Sequence, residues 1–308
     1  MGTPDFAVET LRVLVENGYE VVGVITMPDK PAGRGHKIQY SPVKQYALEK
    51  GLRLLQPQNL KDEAFLDDLR SLNADIQIVV AFRMLPEVVW NMPPHGTFNL
   101  HASLLPQYRG AAPINWAIIN GENKTGATTF FLTHEIDTGK IILQREIAIA
   151  DTDNAGIVHD KLMVTGAQMV KETLEMIISG GVDAVDQSVF INNDVELKAA
   201  PKIFKETCKI NFDANVDEIN NFVRGLSPYP AAWTELCFEG MTEALVFKVY
   251  EVEKQYEMHD YAYGTLLTDN KKYCKVAAKD GFVVLKQIQA AGKKRMEMGD
   301  FLRGYFRS

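Results

Sequence analysis

HGTFNLHASLLPQYRGAAPINWAIINGENKTGATTFFLTHEIDTGK, residues 95–140, is the stretch from which the fold can be read. Its segment GTFNLH, 96–101, is apolar and β-prone and predicts a short buried strand. Side chains along a strand alternate between faces, so Asn99 and His101, two positions apart, project into the same space. Pro106 bars a helix through SLLPQYRG, which predicts a loop of exposed backbone donors and acceptors just outside the strand end. Open α/β sheets bind their ligands there. A second β-prone run, 127–133, leads into HEIDTG, whose tip reads as a turn carrying one carboxylate, Asp137. An amide donor, a titratable imidazole and a carboxylate able to orient it are the parts that acyl transfer through an oxyanion requires. Singly, an Asn-x-His at a strand end is more often a satisfied polar pair, and an Asp in such a turn more often only a turn residue. The chemical reading rests on all three occurring together.

Outward from this stretch, helical and strand patterns alternate. Gly2, Thr3 and Pro4 read as a turn, 6–16 as an amphipathic helix stopped by Gly18, and 21–27 as a buried strand. Residues 28–41 hold two prolines, two glycines, Lys30, Arg34, Lys37 and His36, and predict a long, basic, irregular loop. Helices follow at 42–50 and 61–72, with strands at 52–55 and 76–81; the last runs into Phe82, Arg83, Met84 and Leu85. The alternation predicts an α/β fold with a Rossmann-like parallel sheet and right-handed crossovers. Strands at 127–133 and 140–149 pair around the Asp-Thr-Gly turn, and 155–179 is the longest helix. The opening turn is no GxGxxG, which weakens a dinucleotide reading.

A chain of 308 residues with 46% hydrophobic content is long enough for about two domains. Gly180 and Gly181 close the first, 182–205 reads as an extended polar linker, and 206–308 as one helix, 216–224, followed by five or six short strands, a small barrel by pattern. Cys208, Cys237 and Cys274 are too widely spaced for a disulfide framework or a zinc site and fit a reducing cytosol. No apolar run reaches the length of a membrane span, and no basic-then-apolar leader opens the chain, so a soluble cytoplasmic protein is expected. The net charge of −7 speaks against nucleic acid when taken whole. It is unevenly placed: residues 201–308 carry 16 Lys and Arg against 15 Asp and Glu, leaving 17 against 25 for 1–200. The second part is therefore the better suited to phosphates.

NLHASLLPQYRGAAPINWAIINGE followed by the DTG turn closely resembles the signature of the enzymes that take a formyl group from 10-formyltetrahydrofolate, and the resemblance runs nearly end to end. It implies a formyltransferase domain over 1–181, the linker 182–205, and an OB-like β-barrel over 206–308 that binds tRNA. It implies that Asn99 donates to the oxyanion, that His101 stabilises the same charge and carries the proton, and that Asp137 orients the imidazole or helps deprotonate the amine. Ser103, Leu104, Leu105 and Pro106, with Phe82, Arg83, Met84 and Leu85, would hold the folate; core packing explains Phe82, Met84 and Leu85 equally well. The basic 28–41 loop with its Gly-Arg-Gly core matches the branch acting on initiator methionyl-tRNA, which makes Lys30, Arg34 and Lys37 tRNA contacts. Lys293, Lys294 and Arg295 join them from the second domain. No metal is implied, and a monomer is expected. Family members carry a short apolar strand ahead of the Gly-Thr-Pro turn, so this sequence is expected to begin late, at an internal Met. Three alternatives stay open: a sugar-nucleotide N-formyltransferase, which would not need the basic loop; a glycinamide ribonucleotide formyltransferase, which normally lacks the second domain; and an RNA-binding module without chemistry.

Overall fold

Asp5 opens helix α1 (Asp5–Glu16), where its carboxylate accepts from the Phe6 N–H at 2.9 Å; the helix buries Phe6, Ala7, Thr10, Val13 and Leu14 before Gly18 ends it at φ +77°. The structure, a computed structural model, describes residues 1–32, 37–191 and 195–306, with only the backbone of 30–32, 37 and 38. After α1 come β1 (Val24–Ile25), β2 (Lys30–Ala32), β3 (Lys37–Gln39), α2 (Pro42–Glu49), β4 (Leu54–Leu55), α3 (Glu63–Ser71), β5 (Gln77–Val80), α4 (Glu87–Trp90) and β6 (Thr97–His101). The chain continues through β7 (Arg109–Gly110), α5 (Pro113–Ile119), β8 (Lys124–Phe131), β9 (Ile141–Ala148), α6 (Ala155–Ile178) and β10 (Ala199–Ala200). It ends with α7 (Val216–Leu226), β11 (Ala232–Leu236), β12 (Leu245–Tyr256), β13 (Leu266–Thr268), β14 (Cys274–Ala278), β15 (Gly281–Ala290), β16 (Met296–Glu297) and α8 (Met298–Tyr305). Local chemistry sets several boundaries: Ser41 and Asp62 cap α2 and α3 through their side-chain oxygens, and Asn215 and Glu218 form a capping box on α7. Among the described residues no helix is long and apolar enough to cross a membrane.

The chain divides into two compact units, one of Met1–Gly110, Thr125–Ile147 and His159–Ala199, the other of Ala111–Lys124, Ala148–Val158 and Ala200–Ser308. In the first, β1 pairs with β4 and β5 with β6, all in parallel, as the alternating pattern predicts. β8 departs from that pattern and runs antiparallel to β6, with His101 opposite Thr128. The physical reason is that the intervening helix α5 belongs to the second unit, so no helix returns the chain for a parallel crossover. At its described residues the 28–41 segment is more regular than the expected irregular loop, because β2 and β3 pair as a short antiparallel ladder. Arg34 lies outside the described residues.

The first sheet is interrupted between β1 and β5. Among the described residues Met1 and Gly2 bridge them: the Gly2 N–H donates to the Ile25 carbonyl at 3.0 Å, the Met1 amine to the Ile78 carbonyl at 2.6 Å, and the Val80 N–H to the Met1 carbonyl at 2.9 Å. Below this rung lies a cavity of about 620 Å³ walled by Val22, Val24, Ile76, Leu14, Leu72 and Ile177. The expected strand over 21–27 is shorter, Val24–Ile25, the two residues that pair with β4. Burial pulls the Met1 amine down from 8.0 to about 5.

In the second unit β11, β12, β15, β14 and β13 form a curled antiparallel half-barrel, with β16 on β15. Register shifts on both sides of Glu251 bend β12, which lets one long strand serve the curl. Phe247, Val249, Val276, Leu285 and Ile288 point inward and meet Ile219, Val223 and Leu226 of α7. The single-helix expectation for 206–308 is corrected by α8, whose Phe301 and Leu302 complete this core.

Candidate active site

β6 delivers the site. Its central position between β5 and β8 buries Phe98 and Leu100 on one face and presents Asn99 and His101 on the other. Asn99 is half-buried, and its carboxamide has no hydrogen-bond partner among the described residues, so its donor is available to a ligand oxygen. His101 is 7% exposed; its Nε2 lies 2.9 Å from the Tyr108 carbonyl and its Nδ1 lies 3.8 Å from Asp137 Oδ2. A carbonyl only accepts, so Nε2 keeps its hydrogen in either charge state and Nδ1 is the nitrogen that gains or gives a proton. Asp137 does not hold the ring by a direct hydrogen bond, because 3.8 Å is beyond that range; the Tyr108 carbonyl does.

The Asp137 carboxylate is fixed instead by the Gly110 N–H, which donates to Oδ2 at 3.0 Å. Its backbone sits at φ +55°, a conformation that costs a non-glycine residue about 1 kcal/mol or more. Gly139 closes the turn without a positive φ but by close approach: a Cβ there would stand 1.6 Å from the Phe131 carbonyl oxygen. Tyr108 and Gly110 therefore touch His101 and Asp137, respectively, through backbone atoms.

The SLLP segment is tied down more than its sequence predicts. Thr128 Oγ1 donates to the Ser103 carbonyl at 2.7 Å and accepts from the Leu105 N–H at 3.2 Å, while Gln144 Nε2 donates to the Leu105 carbonyl at 2.6 Å. Ser103, Leu105 and Pro106 are buried and Leu104 half-buried. The expected loop of exposed donors and acceptors is thus replaced at these positions by a packed loop. Phe82 and Leu85 pack into the core around Val79 and Val89; Arg83 donates to the carbonyls of Pro57 at 2.5 Å and Gln58 at 2.9 Å; Met84 is 69% exposed. Among the cations, only the backbones of Lys30 and Lys37 are described. Lys293 and Lys294 are exposed, whereas Arg295 is engaged, its Nε donating to Gln287 Oε1 at 2.8 Å and its guanidinium 4.3 Å from the Tyr250 ring centre.

Sequence reasoning missed the backbone of Tyr108 and Gly110, and it missed Gln187. Gln187 falls in the segment read as a polar linker, yet it is 2% exposed and starts a short 3-10 turn, Gln187–Phe190. No motif marks a glutamine some 50 positions from its partners. The only sequence signal was negative, an uncharged polar residue amid the apolar pattern of Val185, Val189, Phe190 and Ile191.

The sequence pattern of the family described as Formyl transferase matches residues 1–174, and that described as Formyl transferase, C-terminal domain matches residues 202–306. A methionyl-tRNA formyltransferase of Bacteroides thetaiotaomicron is 64% identical over 306 residues, covering 99% of this chain and 94% of that protein. Another, of Parabacteroides distasonis, is 63% identical with the same coverage. Among solved structures, an N-formyltransferase from Helicobacter canadensis in complex with folinic acid and dTDP-3-aminofucose aligns with a TM-score of 0.66 at 21% identity, over 94% of this chain and 97% of that one. That last likeness is one of fold.

Proposed function

The chain belongs to the formyl transferase family, and from that premise we propose that it moves the formyl group of 10-formyltetrahydrofolate to the α-amino group of initiator methionyl-tRNA, giving N-formylmethionyl-tRNA for translation initiation. The observation that carries this reading is the 64% identity, over nearly the whole chain, to a methionyl-tRNA formyltransferase, with Asn99, which has no hydrogen-bond partner among the described residues, and a carbonyl-fixed His101 on one strand face. Residues 1–181 would act as the catalytic domain, 182–205 as linker and 206–308 as the tRNA-binding domain, in a cytoplasmic monomer. The folate would lie against the SLLP loop and the segment 82–85, outside the strand ends.

In this reaction the free α-amine attacks the formyl carbon, forming the new C–N bond while the carbonyl electrons move onto oxygen. Asn99 Nδ2 donates to that oxyanion. Collapse reforms the carbonyl and breaks the bond to the folate nitrogen, which leaves with a proton as tetrahydrofolate. His101 supplies that proton and takes one from the attacking nitrogen through Nδ1, the one ring atom not committed to a carbonyl. Asp137, held at φ +55° by its turn, balances the charge that the ring gains in transit.

Incubation with 10-formyltetrahydrofolate and methionyl-tRNA, read by mass spectrometry of the released aminoacyl group, tests the proposal. Formylmethionine is the expected product. A formyl group found on a nucleotide-linked amino sugar, and none on methionyl-tRNA, would replace this reading with the sugar-nucleotide one.

A further inference from the structure

Asp137 needs something to keep its turn in place. Gln187 Nε2 donates to the Asp137 carbonyl at 2.8 Å and to the Gly139 carbonyl at 2.9 Å, so its two hydrogens span the turn. Its Oε1 accepts from Arg109 Nε at 3.1 Å and Nη2 at 2.6 Å. Every donor and both acceptor positions of this buried amide are therefore used. Arg109 in turn sits between the two residues whose backbones fix the catalytic groups: the Tyr108 carbonyl on His101 Nε2, and the Gly110 N–H on Asp137 Oδ2. One carboxamide thus ties the 108–110 segment, whose Tyr108 carbonyl fixes the histidine, to the turn that carries the aspartate, and closes a ring of contacts around the 3.8 Å gap between His101 and Asp137. We infer that Gln187, acting with Arg109, is a positioning residue for formyl transfer, setting where the Asp137 carboxylate stands relative to His101.

The inference rests on the formyl-transfer reading, and its test separates the two. Gln187→Met keeps the shape but has no donors. Gln187→Glu keeps the acceptor for Arg109 but turns oxygens towards the two turn carbonyls. Both are expected to lower kcat for methionyl-tRNA formylation by about 10- to 100-fold, as small misplacements of reacting groups do, while KM for tRNA and for the formyl donor stays within about threefold. Because the effect passes through Asp137, adding Gln187→Met to Asp137→Asn should cost no further activity. A residue that merely stabilised the fold would lower both backgrounds equally. Independently of turnover, Gln187→Met should speed hydrogen exchange of the Gly110 amide at least about tenfold relative to the β6 amides, because its acceptor is no longer fixed. Wild-type kcat in both variants, additive loss in the Asp137→Asn background, or unchanged Gly110 exchange would each overturn the positioning role. A wild-type protein that formylates no methionyl-tRNA would instead overturn the functional reading, with the Gly110 exchange still deciding the role of Gln187.

Discussion

Asn99→Ala, His101→Ala and Asp137→Asn are each expected to lower turnover by two to three orders of magnitude, about 3 kcal/mol in the barrier, because preorganised donors and proton carriers contribute about that much. The three changes do not disturb the fold equally, and the structure ranks them. The Asn99 carboxamide has no hydrogen-bond partner among the described residues, so truncating it strands none of them and its rate loss reads directly as lost transition-state stabilisation. His101→Ala removes the hydrogen bond to the Tyr108 carbonyl, which adds a folding cost of about 1 kcal/mol. Asp137→Asn retains an oxygen able to accept from the Gly110 N–H and removes only the charge. Steady-state formylation together with thermal melting separates these contributions. Rates near wild type in all three variants, with intact melting, would place the chemistry elsewhere.

What the sequence revealed of this site follows from how each part encodes itself. Asn99 and His101 were legible because a strand has a period of two and both side chains belong to one short β-prone run. Asp137 was legible as a turn residue because Asp-Thr-Gly tolerates a left-handed conformation and Gly139 leaves room that no side chain could share. The histidine's real hydrogen-bond partner was not, since a backbone carbonyl has no signature in sequence; Tyr108 supplies it only because its own φ of +60° turns the chain there. Gln187 was hidden for a related reason, as its importance comes from three partners far away in the chain. The fold shows the same division. α1, α3, α6 and α7 announce themselves through apolar stripes and, in several cases, caps, whereas α8 is only eight residues long with glycine at two of them and reads as a turn until Phe301 and Leu302 are seen filling a core. Nor could periodicity show that β8 runs against β6, because direction depends on where α5 goes rather than on the strand itself.

The cations divide into two kinds, and the division makes the remaining large prediction. Residues 1–200 carry 17 basic against 25 acidic side chains, a surface that repels an acceptor stem unless a local positive element offsets it. The 28–41 segment, with Lys30, Arg34 and Lys37, would be that element, and its place in the part of the chain proposed as catalytic suits it to hold the reacting aminoacyl end. Lys293 and Lys294 are exposed on the near-neutral second part and form no ion pair among the described residues, which suits them to phosphate contact. Arg295 is the poorer probe, because its guanidinium is already spent on Gln287 and Tyr250. Removing a phosphate contact weakens binding and reduces the salt slope by about one per charge without altering saturated turnover. The Lys293→Ala, Lys294→Ala double variant should therefore show a higher KM for tRNA, a salt slope lower by about two, and unchanged kcat. Arg34→Ala should lose turnover as well, on the order of 100-fold, since a substrate misplaced by about 1 Å reacts that much more slowly. A nucleotide-linked amino sugar is too small to need either set. Formylation rates measured against tRNA concentration at several salt concentrations distinguish the two roles, and tRNA parameters unchanged in both variants would remove these residues from the tRNA interface.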